Sequence, residues 1–187
     1  QLKQEEESLE ELVFLDTETT GLKAWKYGKT HHEITELAII VHEDGREVYR
    51  NCWKFFPRRF ETADPVALDI GGYDKDVWSK EASEWSVRFI SYLCGLLQDS
   101  VIVGHNVKFD IDFLRAVFTD FDLKFKFPPE LDTKALAKMV WGFDNLKMDY
   151  IREHVPEMTR DGSHRALKDT EDCVFIYEQF QQMMKAE

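Results

Sequence analysis

The chain has 187 residues, 43% hydrophobic and 32% charged, which suits one folded domain with a substantial core and excludes a disordered composition. Its 24 basic and 36 acidic residues give a net charge of −12, which argues against non-specific duplex binding through a broad basic face. Nucleic acid stays open as a substrate, because clustered carboxylates lose their negative charge once they hold divalent metals.

No apolar run approaches the ~18 residues of a membrane span, and no basic stretch leads into an apolar one near the N-terminus. Cys52, Cys94 and Cys173 are too widely spaced for a CxxC pair or a disulfide framework. The expectation is an intracellular protein, cytoplasmic or nuclear, neither secreted nor membrane-bound.

Residues 1–11 read as a polar leader ahead of a single domain over residues 12–187. Leu12–Thr17 opens that domain as a strand, with a buried run at Val13, Phe14 and Leu15. Lys23–His32 reads as a polar loop. A hairpin follows, with strands over Glu36–Glu43 and Arg46–Phe56 about an Asp44-Gly45 turn, stopped by Pro57. Phe60–Trp78, broken by Pro65 and Gly71-Gly72, is expected to loop with a short helical turn. Trp85, Phe89, Ile90, Leu93, Leu96 and Leu97 recur at helical spacing and predict a helix over Lys80–Gln98. Ser100–His105 is a short apolar strand, and Phe109–Phe118 a helix. Leu123–Leu131 is a candidate fifth strand, stopped by Pro128-Pro129. Asp132 is the expected cap of a helix over Thr133–Trp141. Helices over Leu146–His154 and Arg165–Met184 complete the chain. Three hairpin-linked strands, then two separated by helices, predict an α/β fold with a mixed five-stranded sheet, and such sheets gather chemistry at strand ends.

Three acidic stretches stand out. In VFLDTETTGL, Val13–Leu22, Asp16 and Glu18 flank Thr17 at the end of an apolar run. A strand puts residues i and i+2 on one face, so these carboxylates project side by side, about 7 Å apart. Like charges so placed repel, and burial adds to the cost. The pair therefore suits a hard divalent cation; a turn cap at Asp16 and a lysine partner for Glu18 is the other reading. In VIVGHNVKFDIDFL, Val101–Leu114, Asp110 and Asp112 lie ~200° apart on a helix, so only one can face a strand-end pocket, and spacing does not choose between them. In GSHRALKDTED, Gly162–Asp172, His164 and Asp169 lie ~140° apart on a helix. If both serve one site, His164 sits in the loop before the helix and Asp169 on it. No phosphate-cradling glycine motif and no G-x-S-x-G elbow occurs.

These three motifs, in this order, resemble the DEDD superfamily of 3′–5′ exonucleases on an RNase H-like fold, three layers with the mixed sheet between helices. The resemblance is closer to the DEDDh, or DnaQ-like, branch, because its sister branch has tyrosine where this chain has Arg165. FLDTETTGL supplies Asp16 and Glu18; GHNVKFDIDFL supplies Asp110 rather than Asp112; HRALKD supplies His164 and Asp169. LDTKALAK and the DYIREHV helix also look like the family's intervening segments. The similarity runs from Leu12 to Phe180. It implies that Asp16, Glu18, Asp110 and Asp169 hold two Mg²⁺ or Mn²⁺ ions, with Asp16 bridging, and that His164 is the general base. The implied product is a nucleoside 5′-monophosphate released from a 3′ end, with DNA and RNA both open.

The resemblance also implies that Thr19, Thr20, Gly21 and Leu22 meet the last nucleotide, Leu22 as a wedge against its base. Phe109 lines the floor and Asn106 hydrogen-bonds the strand. Expected partners are nucleic acid, chiefly single-stranded 3′ ends, and a polymerase if the chain proofreads. A catalytically dead binding module on the same fold is the competing class. One reading is independent of the resemblance. Lys23–His32 holds three lysines, two histidines and two aromatics without an acidic residue, which suits a guide for an incoming strand with Trp25 or Tyr27 stacking on a base.

Overall fold

A computed structural model describes residues 11–159, 161–162 and 164–186. The predicted leader lies almost wholly outside these; Glu11, its last residue, already belongs to the first strand. That strand, β1 (Glu11–Thr19), is followed by a small hairpin, β2 (Trp25–Lys26) and β3 (Lys29–Thr30), and a large one, β4 (Ile34–Glu43) and β5 (Arg46–Lys54). Helices α1 (Pro65–Ile70), α2 (Lys75–Glu81) and α3 (Val87–Leu97) come next. Then come β6 (Val101–Gly104), α4 (Val107–Asp120), β7 (Glu130–Asp132), α5 (Thr133–Trp141), α6 (Met148–His154) and α7 (Ala166–Ala186).

The main sheet has the order β5-β4-β1-β6-β7. β4 is antiparallel to both β1 and β5, whereas β6 runs parallel to β1 and β7. This is the mixed five-stranded sheet that the strand order predicts. β1 is central and apolar on both faces. Val13 and Leu15 join a core with Ile90 and Leu93 of α3 and Ile111 and Leu114 of α4. Leu12 and Phe14, of opposite parity, meet Cys173 of α7. A third cluster packs α5, α6 and α7 through Leu136, Ile151 and Ile176. The result is three layers, with the sheet in the middle. Among the described residues, no helix is long and apolar enough to cross a membrane.

Four expectations need correction. Phe60–Trp78 is not a loop with one helical turn: Asp64 and Asp74 cap α1 and α2, each accepting from a backbone N–H at the start of its helix, on either side of Gly71-Gly72. Lys23–His32 is not wholly loop: Tyr27 and Gly28 both take left-handed backbone (φ 52° and 72°), which closes β2 onto β3 as a tight hairpin. The helix expected from Lys80 divides, because the chain is extended at Ala82 and Ser86, and the Ser86 hydroxyl caps α3 by accepting from Phe89 N. Leu123–Pro129 is not a strand. Phe125 and Phe127 turn onto Phe118 instead, and pairing with β6 covers only Glu130–Asp132, beyond the two prolines. Asp132 does cap α5, accepting from Lys134 N.

Candidate active site

The parity that buries β1 on both faces also builds the site. Leu12 and Phe14 point toward α7, so Asp16 and Glu18 point the same way beyond the end of the core. Asp169 arrives on the first turn of α7. One oxygen from each of Asp16, Glu18 and Asp169 lies within 4.8 Å of the others, and all three residues are half-buried.

Thr17, of opposite parity, faces α4. Its backbone N–H and its hydroxyl donate to Asp110 Oδ1 at 2.9 and 2.7 Å. Asp110 is 2% exposed, while Asp112 turns outward to Arg115. The helix phase therefore resolves the choice that spacing leaves open. Asp110 stands outside the 4.8 Å group, with one oxygen committed to Thr17; a cation would use the other.

The electrostatics show how crowded these carboxylates are. Burial, then the charges of Asp110, Asp169 and Glu18, push Asp16 well above the usual carboxylate range. Glu18 is pushed up to about 8 by burial and by Asp169 and Glu36. Burial lifts Asp110 to about 7 against the opposing Thr17 hydrogen bonds. Asp169 is also raised by burial, with Arg152 pulling the other way. An all-oxygen, anion-rich donor set of this kind fits a hard divalent cation such as Mg²⁺ or Mn²⁺.

His164 stands at the rim rather than in the cluster. It takes left-handed backbone (φ 58°) just ahead of α7, its side chain is 44% exposed, and its Nε2 lies 3.4 Å from Asp149 Oδ2. The loop-then-helix placement required by the spacing of His164 and Asp169 is the one seen.

Of the nucleotide-seat residues, Thr19 and Thr20 spend their hydroxyls internally. Thr19 Oγ1 donates to Gly21 O, and Thr20 Oγ1 accepts from Glu33 N. Thr20 is also fully buried, its N–H donating to Glu33 O and its carbonyl accepting from Asp64 N, so these two positions do not present the contacts the resemblance implies. Gly21 lies against the His32 ring, where an added Cβ would stand 2.5 Å from Cε1. Leu22 is 79% exposed, and with Phe109 and Trp25 it lines a cavity of about 220 Å³. Asn106 is exposed with left-handed backbone (φ 67°), pinned by its N–H to Asp132 Oδ1.

Sequence reasoning missed two arginines. Arg152, on α6, is fully buried and donates to Asp169 Oδ1 at 2.5 Å. Arg165 donates to Glu36 Oε1 at 2.9 Å, and Glu36 Oε2 accepts from Ala166 N at the start of α7. The signal was faint: a charged residue inside the apolar spacing of α6, and an arginine beside the histidine of the third motif.

A mixed sheet with a carboxylate cluster at the end of its central strand defines the RNase H-like nuclease class. The exonuclease family model that includes RNase T matches residues 13–177, and the chain belongs to that family, in its DEDDh branch. It is 30% identical over 168 residues to the PolC-type DNA polymerase III of Latilactobacillus sakei, covering 89% of this chain, and 29% identical over 178 residues to that of Thermotoga petrophila, covering 92%. It spans only 11% and 12% of those proteins' lengths. Among solved structures, Escherichia coli exonuclease I in complex with single-stranded DNA aligns with TM-score 0.77 at 14% identity, over 94% of this chain and 41% of that one. Exonuclease X in complex with 5′-overhanging duplex DNA aligns with TM-score 0.60 at 23% identity, over 91% and 92% of the two chains.

Proposed function

We propose that this chain is a metal-dependent 3′–5′ exonuclease that removes nucleoside 5′-monophosphates from single-stranded 3′ ends. One observation carries the reading: three half-buried carboxylates, Asp16, Glu18 and Asp169, converge so that one oxygen of each lies within 4.8 Å of the others. Asp16, Glu18, Asp110 and Asp169 would hold two divalent cations, Mg²⁺ or Mn²⁺, which supply charge stabilisation and an activated water when bound. The protein's own part is to position and to move a proton. Thr17 holds Asp110 in place, and β1 sets Asp16 and Glu18 side by side. His164 takes the attacking water's proton at a ring nitrogen, while Asp149 orients the ring. Leu22 and Phe109 grip the last base between them, and the backbone of Gly21 and Leu22 reads its sugar. The β2–β3 hairpin lies next to this seat and offers Trp25 to the strand.

Similarity to PolC-type polymerases supports a proofreading role in which polymerase activity comes from a further region or a partner. The test is a gel assay with 5′-labelled single- and double-stranded DNA and RNA, in Mg²⁺, Mn²⁺ or EDTA. The expected result is a ladder shortening from the 3′ end, absent in EDTA and in His164→Ala. Internal cuts, or activity indifferent to chelation, would sink the assignment.

A further inference from the structure

Arg152 makes four hydrogen bonds, all to carboxylates. Nε and Nη2 donate to Asp172 Oδ2 at 2.8 and 2.6 Å, Nη2 also donates to Asp169 Oδ1 at 2.5 Å, and Nη1 donates to Asp149 Oδ1 at 3.2 Å. The guanidinium is 0% exposed. Asp172 is 3% exposed and is shared with Lys168, one helical turn before it on α7. Asp149 in turn faces His164. A buried cation thus sits directly on one of the three clustered carboxylates.

We propose that Arg152 is a resident counter-cation for the metal site: it supplies part of the positive charge that Asp169 and Asp16 need when metal is absent, and it sets how tightly metal is held. The inference rests on the metal-dependent reading above and concerns residues outside the motifs that carry it. A buried carboxylate cluster without cations is self-repelling, and a guanidinium cannot be neutralised by losing its proton. Arg152 lies on the α6 side of Asp169 and donates to its Oδ1 at 2.5 Å, and Asp169 shares the 4.8 Å group with Asp16 and Glu18, so the field of Arg152 reaches the cluster. The same field opposes an incoming divalent ion. Asp172 moderates that opposition by sharing the guanidinium. Arg152 is therefore a positioning and tuning residue, not one that touches substrate.

A merely structural role and a counter-cation role separate in one measurement, the metal-induced increment. The purified chain, stripped with EDTA, is melted with and without Mn²⁺, and Mn²⁺ is titrated by calorimetry. In Arg152→Met/Asp172→Leu the buried pair is removed as a unit, which avoids an orphaned charge. Its melting temperature in EDTA should fall, its Mn²⁺-induced rise should exceed the parent's, and Mn²⁺ should bind roughly tenfold tighter. Asp172→Asn should act in the opposite direction. With less anionic charge to share it, Arg152 bears harder on Asp169, so Mn²⁺ binds more weakly and the rise shrinks. Arg152→Lys, which keeps the charge, should hold Mn²⁺ affinity near the parent's. If the double variant lowers the melting temperature with an unchanged or smaller increment, Arg152 is structural and the proposal is overturned. If the double variant does not fold, unchanged or tighter Mn²⁺ binding by Asp172→Asn overturns it equally. A parent with no Mn²⁺ response removes the metal-dependent reading, and this proposal with it. That result is distinct from parent and variants responding alike.

Discussion

Two clusters of partly buried charge in this domain follow opposite rules. Around the C-terminal end of α4, Glu33 and Asp120 share Arg58 and Arg59. Arg59 reaches Glu33 at 3.0 Å and Asp120 at 2.5 Å, and Arg58 reaches Asp120 at 3.0 Å. Thr30 of β3 donates to the other oxygen of Asp120. Two anions meet two cations, and the cluster ties the small hairpin, α4 and the segment after β5 together. At the end of β1, four carboxylates crowd together, and the nearest guanidiniums, Arg152 and Arg165, are also engaged by Asp172 and Glu36. The balanced cluster is a clamp, complete as it stands. The other is short of positive charge, which is what the proposed metal site would need.

Removing charge from each cluster in turn should have opposite effects. On the proposed reading, Asp16→Asn should lower nuclease activity by about a thousandfold or more, because it removes a carboxylate from the proposed metal site. In EDTA the same variant should melt higher than the parent, since one self-repelling buried charge is gone. A variant melting lower in EDTA would place Asp16 among the clamps. Next in size is a pH effect on the metal-free protein. Glu18 and Asp110 have folded pKa values raised to about 8 and about 7, above their ordinary values, so the folded state binds more protons than the unfolded one. Stability in EDTA should then fall as pH rises from about 4 to 8, by several degrees in melting temperature, and saturating Mn²⁺ should abolish the fall. A flat profile in EDTA would show that the carboxylates are not crowded.

The clamp should behave otherwise. Arg59→Met should cost about 1–3 kcal/mol of stability, since Glu33 and Asp120 lose a half-buried partner, yet leave both kcat and the Mn²⁺-induced rise in melting temperature as they are. The smallest expected effect lies behind Arg165. Gly72 has left-handed backbone (φ 63°), and a Cβ there would stand 2.7 Å from Arg165 Nη1. Gly72→Ala should cost about 1 kcal/mol, with a few-fold loss of activity as Arg165 shifts beside Glu18.

Much of this architecture is legible in the sequence because period and chemistry agree there. The apolar run feeding Asp16 and Glu18 has one strand-like reading, and the caps at Asp132 and Asp44-Gly45 name their own turns. Where tertiary packing overrides local pattern, the sequence misleads. Leu123–Pro129 alternates like a strand, but Phe125 and Phe127 find a better partner in Phe118. The choice of Asp110 over Asp112 rested on resemblance, because helix phase is invisible until the start of α4 is fixed at Asn106. Arg152 was unreadable for another reason. Asp149 is one turn away on α6 itself, but Asp169 and Asp172 are 17 and 20 residues away, and only the packing of α6 on α7 brings them to it.

Between Glu18 and Thr19 the sheet changes phase. Glu18 pairs with Glu36 while Thr19 pairs with Ile34, so Thr35 is one residue too many on β4. Its carbonyl is put to use, accepting from Phe55 N and from Trp78 Nε1. Up to Glu18 the strand's strict alternation dictates where each side chain points; from Thr19 onward that dictate is lifted. The anion cluster and the proposed nucleotide seat, though consecutive in sequence, thus obey separate geometries. Excision of Thr35 would put them back in step, and the proposed site would keep its carboxylates while losing the separate geometry of its seat.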